Sequence, residues 1–322
     1  MAKEKLRSIQ LLKCIAAIMV LNSHFESVYP IPALATGGAL ANGVFFIVSG
    51  FLVSGFNKPF LVWYSKRLGR LWIGIVLVSL FQILVGYTAL GTPMDWISTF
   101  FIPKYYWFAT ALAIFYPILY LLKKKEMFDK GGLKWVTITV VLLYFVSYSF
   151  LDTSVWVVET KRLDSFAGLF KLIYYFYIMY LGLYIKFNNT ENKKMKHPGR
   201  VAIVSFVSMY IMKAVMVRIP TLMHFQFLNQ LSVLFFSVSM LLFSLYQEKL
   251  ISQILSNSVF TNVVNGISKI TWEIYLVQFM VINSLNSYIF PVNFIMIIIV
   301  VIVAAIILNV LSQWVYQKLF KG

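Results

Sequence analysis

Acidic residues are scarce in this chain: 11 Asp and Glu stand against 28 Lys and Arg in 322 residues. All charged residues together make 12% of the sequence, where a soluble domain has about a quarter. That shortage excludes a soluble domain of any size. Cysteine occurs once, at Cys14, which excludes an internal disulfide. Histidine occurs only at His24, His197 and His224. No P-loop, GxSxG or HExxH motif is present, nor a Cys/His cluster at metal-binding spacing, so no metal is expected. The first apolar run ends in "NSHFESVYP" without a small-x-small cleavage site, so it does not read as a cleavable signal.

What remains is apolar: 60% of residues are hydrophobic and the mean hydropathy is +0.81. Runs of about 20 such residues recur along the chain, the length a helix needs to cross a bilayer. The reading is an all-α, polytopic membrane bundle of about ten helices in a single transmembrane domain over 1-322, with no appended soluble domain. The spans fall at 8-29, 38-56, 71-92, 105-122, 134-151, 167-187, 201-218, 226-246, 269-288 and 293-317. The second, "ATGGALANGVFFIVSGFLVSG", is rich in small residues, which suit close helix approach or a broken helix lining a cavity.

The net charge of +17 does not indicate nucleic-acid binding, because the cations lie in short loops between apolar runs. With the N-terminus inside, only Lys104, Lys161, Arg162 and Arg218 fall outside, and Lys171 and Lys213 fall within spans; the other Lys and Arg are cytoplasmic. The asymmetry gives an N-in, C-in protein of the plasma membrane. "NNTENKKMKHPGR" is then a cytoplasmic linker. Residues 151-166 form the longest polar outer loop, with Asp152, Glu159 and Asp164.

An ionisable group at membrane depth costs several kcal/mol, which makes each one a functional candidate. They are Lys13, His24, Lys171, Lys213 and Glu273, with Arg67 and Arg70 at an inner edge. His24 reads either as an interfacial histidine or as a general base, since an imidazole suits proton removal near neutral pH. Lys13 lies eleven residues earlier, about 20° off the same helical face and roughly 16 Å along the axis. That pairing suits a helix lining a transmembrane tunnel, although Lys13 alone reads equally as a residue snorkelling inward. Arg67 and Arg70, three apart in "KRLGRL", share a helical face; they serve as topology determinants or as a phosphate clamp. Glu273 suits an ion pair with a cation such as Lys13 or Arg70, or the orientation of a ligand. Lys171 and Lys213 read as snorkelling or tunnel-facing, His197 as solvated and His224 as interfacial.

Five motifs in order then resemble acyltransferase family 3, the integral membrane acyltransferases that modify bacterial surface polysaccharides. They are "IQLLKCIAAIMVLNSHF", "GVFFIVSGFL", "KRLGRL", "YYWFATALAIFYPILY" and "ISKITWEIYLVQF". Two positions depart from the family pattern: Lys13 stands where the family has arginine, and Gln278 where members often have histidine. The second departure throws the role of base onto His24.

The resemblance implies a function. Acetyl-coenzyme A, or another short acyl-CoA, would bind from the cytoplasm, its phosphates held by Arg67 and Arg70. Its pantetheine arm would pass Lys13 to bring the thioester near His24. A hydroxyl of an extracytoplasmic polysaccharide or lipid-linked sugar would attack, with His24 removing its proton or carrying the acyl group briefly. Ser49 and Gly50 would lie in the tunnel wall, where small residues allow close packing or backbone contact. Trp107 would stack on a sugar ring or anchor at the interface, and Glu273 and Gln278 would border the tunnel or the substrate. The competing expectations are a transporter of polysaccharide or lipid-linked sugar, and a non-catalytic scaffold for polysaccharide assembly. The scaffold would leave Lys13, His24 and the arginine pair without a purpose.

Overall fold

The computed structural model describes residues 6–103, 105–149, 168–188, 195–225 and 227–320. Every regular element among them is helical. The order is α1 (Arg7–Asn22), a 3-10 turn (Pro32–Leu34), α2 (Gly38–Leu52), α3 (Phe60–Leu84), α4 (Pro93–Trp96) and a π-turn (Ile97–Phe101). Then follow α5 (Trp107–Lys124), α6 (Lys130–Ser149), α7 (Gly168–Phe187), α8 (Pro198–Arg218) and a 3-10 turn (Pro220–Phe225). The chain ends with α9 (Phe227–Tyr246), α10 (Glu248–Ile254), α11 (Ser258–Lys269), α12 (Thr271–Leu285) and α13 (Val292–Phe320). Seven helical segments among the described residues, α2 taken together with the 3-10 turn before it, are long and apolar enough to cross a membrane. Ten were expected; α1 and α12, at 16 and 15 residues, fall short of that length. The outer-loop residues Asp152, Glu159 and Asp164 and the side chain of His224 lie outside the described residues.

Several boundaries differ from the hydropathy reading, each for a local reason. Helix α3 begins at Phe60, not 71, because Lys66, Arg67 and Arg70 interrupt the apolar run without interrupting the backbone. It stops at a glycine. Gly86 adopts φ 72°, its N–H donates to Ile83 O and that of Tyr87 to Gln82 O, which closes a Schellman motif. Helix α1 stops seven residues early, at Asn22. Its last turn tightens to i→i+3 bonds: Ser23 N to Val20 O, His24 N to Leu21 O and Phe25 N to Asn22 O. Helix α4 was not expected, yet "TPMD" carries its signal. Thr92 accepts from Asp95 N, and the Asp95 carboxylate accepts from Thr92 N, a capping box with proline at N1.

The chain divides into two compact units. The first comprises Met1–Ala16, Ala39–Ser54 and Leu121–Phe260. Its helices meet through small residues. A Cβ on Gly50 of α2 would stand 1.9 Å from Met179 O of α7, and one on Gly182 of α7 would stand 2.0 Å from Ile47 O. The two backbones therefore touch, the contact small residues permit in membranes, where dispersion and not water exclusion joins helices. Tyr180 donates to Met127 O, Asn188 to Phe128 O and Lys186 to Val53 O.

The second unit comprises Ala17–Gly38, Gly55–Tyr120 and Thr261–Gly322. Its core is built of large side chains. Helix α13 buries Ile297, Val301, Ala305 and Leu308, one stripe at helical spacing, while Ile299, Val303, Ile306 and Val310 stay exposed to the apolar side. The stripe joins Ile75 and Val78 of α3 and Ile274, Val277 and Val281 of α12 in one cluster. Gly74 lets α3 approach α12, since a Cβ there would stand 2.9 Å from Leu276.

Candidate active site

Of the residues singled out in the sequence, His24, Arg67, Arg70, Trp107, Glu273 and Gln278 belong to the second unit, and Lys13, Ser49 and Gly50 to the first. His24 sits just past α1, on the tightened turn. Three residues per turn replace 3.6 there, so the helical phase that aligned it with Lys13 does not run through to it. Half-buried, its imidazole packs on Phe279 of α12 with ring centroids 4.4 Å apart. Among the described histidine side chains the other, His197, is exposed.

Asn22, just ahead of His24, locks this turn. Its Nδ2 donates to Leu34 O and Thr36 O, each at 3.0 Å, and its Oδ1 accepts from Tyr29 OH at 2.7 Å. Asn293 Nδ2 donates to Val28 O, and Phe25 packs edge-on against Phe294. A histidine in an irregular segment is thus fixed by its neighbours' bonds and by α12 and α13. Sequence reading missed Asn22 and Phe279; neither stands out from other span-end residues before the chain is folded.

Arg67 and Arg70 lie on the first half of α3. The Arg67 guanidinium lies over the Trp63 ring, 4.1 Å from its centroid, and 5.8 Å from the Tyr116 ring. Stacking engages its flat face, and the edge of a planar guanidinium is the part that pairs with anions. Arg67 Nη1 also donates to Trp63 O at 3.4 Å. Trp63 itself is fully buried among Phe56, Tyr116 and Tyr120. Arg70 is exposed and lies 5.4 Å from the Tyr316 ring of α13. Tyr316 stacks on Phe320 and donates to Lys66 O. Gly69, between the two arginines, gives Phe320 its place: a Cβ there would come within 2.4 Å of the ring.

Glu273 is buried on α12, and its Oε1 accepts from Asn309 Nδ2 at 2.9 Å. A neutral amide of α13 is thus a hydrogen-bond donor to that oxygen. Asn309 in turn accepts from Gln313. Gln278 is fully buried, and neither atom of its amide finds a hydrogen-bond partner among the described residues. The same holds for Trp272 Nε1, about 9 Å earlier along α12. Between them Tyr275 stacks on Trp272 at 5.5 Å. Leaving a buried polar group unpaired costs about 1–3 kcal/mol, so the Gln278 amide and the Trp272 N–H stand out from the packing around them.

Trp107 is half-buried at the start of α5, its ring edge-on to Phe108. In the first unit, Gly50 abuts the backbone of α7 and Ser49 is half-buried beside it. Lys13 is half-buried on α1. Among the described residues no three of His, Cys, Asp and Glu converge on a point where a metal would sit.

Comparison with known proteins gives one match. The acyltransferase domain model of the acyltransferase 3 family aligns with residues 6–314. No curated protein and no solved structure matches the chain. The match runs over nearly every helix described above, from the start of α1 into the last turns of α13, and takes in both units. The chain therefore belongs to the acyltransferase 3 family and is an integral membrane acyltransferase.

Proposed function

We propose that this enzyme moves an acetyl or other short acyl group from cytoplasmic acyl-CoA to a hydroxyl of an extracytoplasmic polysaccharide or its lipid-linked precursor. The observation that carries the reading is the fixed imidazole of His24 on Phe279, in the same unit as the stacked Arg67. Arg67 and Arg70 hold the phosphates of the donor. The face of Arg67 is committed to Trp63, which orients its N–H edge towards an anion. The Gln278 amide and Trp272 N–H offer the donor polar contacts.

The step balances without a metal or redox partner. An acceptor hydroxyl gives its proton to the imidazole of His24 as its oxygen attacks the thioester carbonyl. The C–O bond forms, the C–S bond breaks, and the imidazolium returns the proton to the CoA thiolate. Products are an ester and free CoA. Asn22 and Phe279 act by positioning the imidazole, which general-base catalysis needs within hydrogen-bond reach of the hydroxyl.

NMR of surface polysaccharide from cells with and without the gene tests the reading. Loss of O-acyl signals in the His24→Ala strain, with polymer still exported, is the expected result. Polymer trapped inside the cell would support the transport reading in its place. An unchanged spectrum would count against both.

A further inference from the structure

One recess of the second unit, with hydroxyl- and amide-bearing residues in its walls, has no part in the chemistry above. Ser79 and Gln82 at the end of α3, Thr88, Ser98 and Thr99 of the π-turn, and Tyr106 line it. About 230 Å³ of space, open solvent included, lies within it, with room for little more than a group the size of a water or a hydroxyl. Among the described residues, no lining side chain carries a charge at neutral pH.

Its walls are fixed. Tyr106 OH donates to Leu276 O at 3.1 Å and accepts from Gln82 Nε2 at 3.2 Å. Gln82 is only 7% exposed, and its Oε1 accepts no hydrogen bond from the described residues. The Schellman motif ending at Gly86 holds the Gln82 backbone, and Trp72 Nε1 holds the π-turn through Phe100 O at 2.9 Å. Trp96 and Phe100 stack on each other beside the recess, and Trp96 is 54% exposed. Hydroxyls, an amide with a spare acceptor and an open aromatic face together match a neutral polyhydroxylated ligand.

Position strengthens the match. Gln82 lies fifteen residues beyond Arg67, so about 22 Å of α3 separates the cationic end from the uncharged one. Tyr106 is tied to Leu276, about 4.5 Å along α12 from Phe279, the residue that carries His24. The recess therefore adjoins the turn of α12 on which the histidine rests.

We propose that this recess receives one uncharged hydroxyl or hydroxymethyl arm of the acceptor and presents a neighbouring hydroxyl to His24. The proposal rests on the acyltransferase reading and adds the acceptor's seat to it. Gln82 Oε1 and the Thr99 hydroxyl bond the arm, and the stacked Trp96 and Phe100 support the ring outside.

Gln82→Leu and Thr99→Val test it, with His24→Ala as the control. Each variant, purified in nanodiscs, is assayed for binding of radiolabelled acetyl-CoA and for thermal stability. Ester-linked acyl groups are released from the surface glycan of the same cells by mild alkali and counted. The expected result is a tenfold or greater fall in glycan acyl groups in Gln82→Leu and a threefold or greater fall in Thr99→Val. Donor affinity should stay within twofold of wild type. Wild-type acylation in both variants would make the recess a water site and overturn the proposal. So would a fall that tracks a matching loss of donor affinity or stability in both. Full acylation in His24→Ala would overturn the reaction reading itself, a separate failure.

Discussion

The two units of this enzyme differ in how closely their helix backbones approach and in which polar groups they bury. The first brings backbones together at glycines, with Gly50 against Met179 O and Gly182 against Ile47 O. Both bury large side chains, Phe46, Tyr175 and Tyr180 in the first and Trp63, Phe115 and Ile75 in the second, but among the described residues the buried carboxylate and carboxamides, Glu273, Gln82, Gln278 and Asn293, all lie in the second. Glycine contacts hold helices at a fixed, short separation, which leaves no room between them for a ligand. A large-side-chain core can include polar atoms between helices, at a cost that function must justify. The proposed base and donor-binding residues, His24, Arg67 and Arg70, all lie in the second unit.

Five substitutions would sharpen or break that contrast. The largest effect is expected at His24 in the second unit. His24→Ala should lower acyl transfer at least about a hundredfold, measured as CoA thiol release, while donor affinity is kept. A loss of donor affinity of the same size would make His24 a binding residue instead. Next comes the packing of the first unit. Gly182→Ala places a Cβ on the Ile47 carbonyl and should destabilise the protein by on the order of 3 kcal/mol, read from thermal unfolding in detergent. An unchanged melting temperature would show that the helices yield, and the contrast between the units would fail.

The arginines come third. Arg67→Lys should raise the KM for acyl-CoA about tenfold, because an ammonium cannot both stack on Trp63 and offer a forked edge. Arg70→Lys, at an exposed residue, should raise it less. Equal effects would remove the distinction between a built site and a surface charge.

The smallest effect concerns an anchor outside the spans, in the first unit. Glu248 Oε1 accepts from Arg7 N, and Oε2 accepts from Ser8 N and Ser8 Oγ. Burial pushes this carboxyl up, but the hydrogen bonds from Ser8, Ser252 and Arg7 outweigh it and leave it below its ordinary value. A depressed carboxyl contributes stability above its unfolded pKa and loses it as pH falls through the folded one. Wild type should therefore lose stability below about pH 4, and Glu248→Gln should flatten that slope. A parallel slope in the variant would remove Glu248 from the account.

Some of this structure was legible in the residues alone. Periodic apolar runs announced most helices, and the i, i+3 spacing put Arg67 and Arg70 on one face of what proved to be α3. Charge inside a helix misled the reading of its start, since hydropathy registers Lys66, Arg67 and Arg70 as an interruption while the backbone continues through them. The end of α1 went unseen because Asn22 stops the helix by bonding Leu34 O and Thr36 O, partners a helical pattern cannot anticipate. Helix α11 was missed because its apolar face, including Val259, Phe260 and Val263, is too short and too mixed with polar residues to read as a span.

By itself the sequence determined the class, the membrane and the family. Those follow from composition, run length and ordered local motifs, which are properties of neighbours along the chain. Only the tertiary structure decided what each functional residue touches. Phe279 under His24, Phe320 against Gly69 and Asn309 on Glu273 are contacts between distant segments. They are set by where loops return the chain and by which side chains fit, and neither is written in any local spacing.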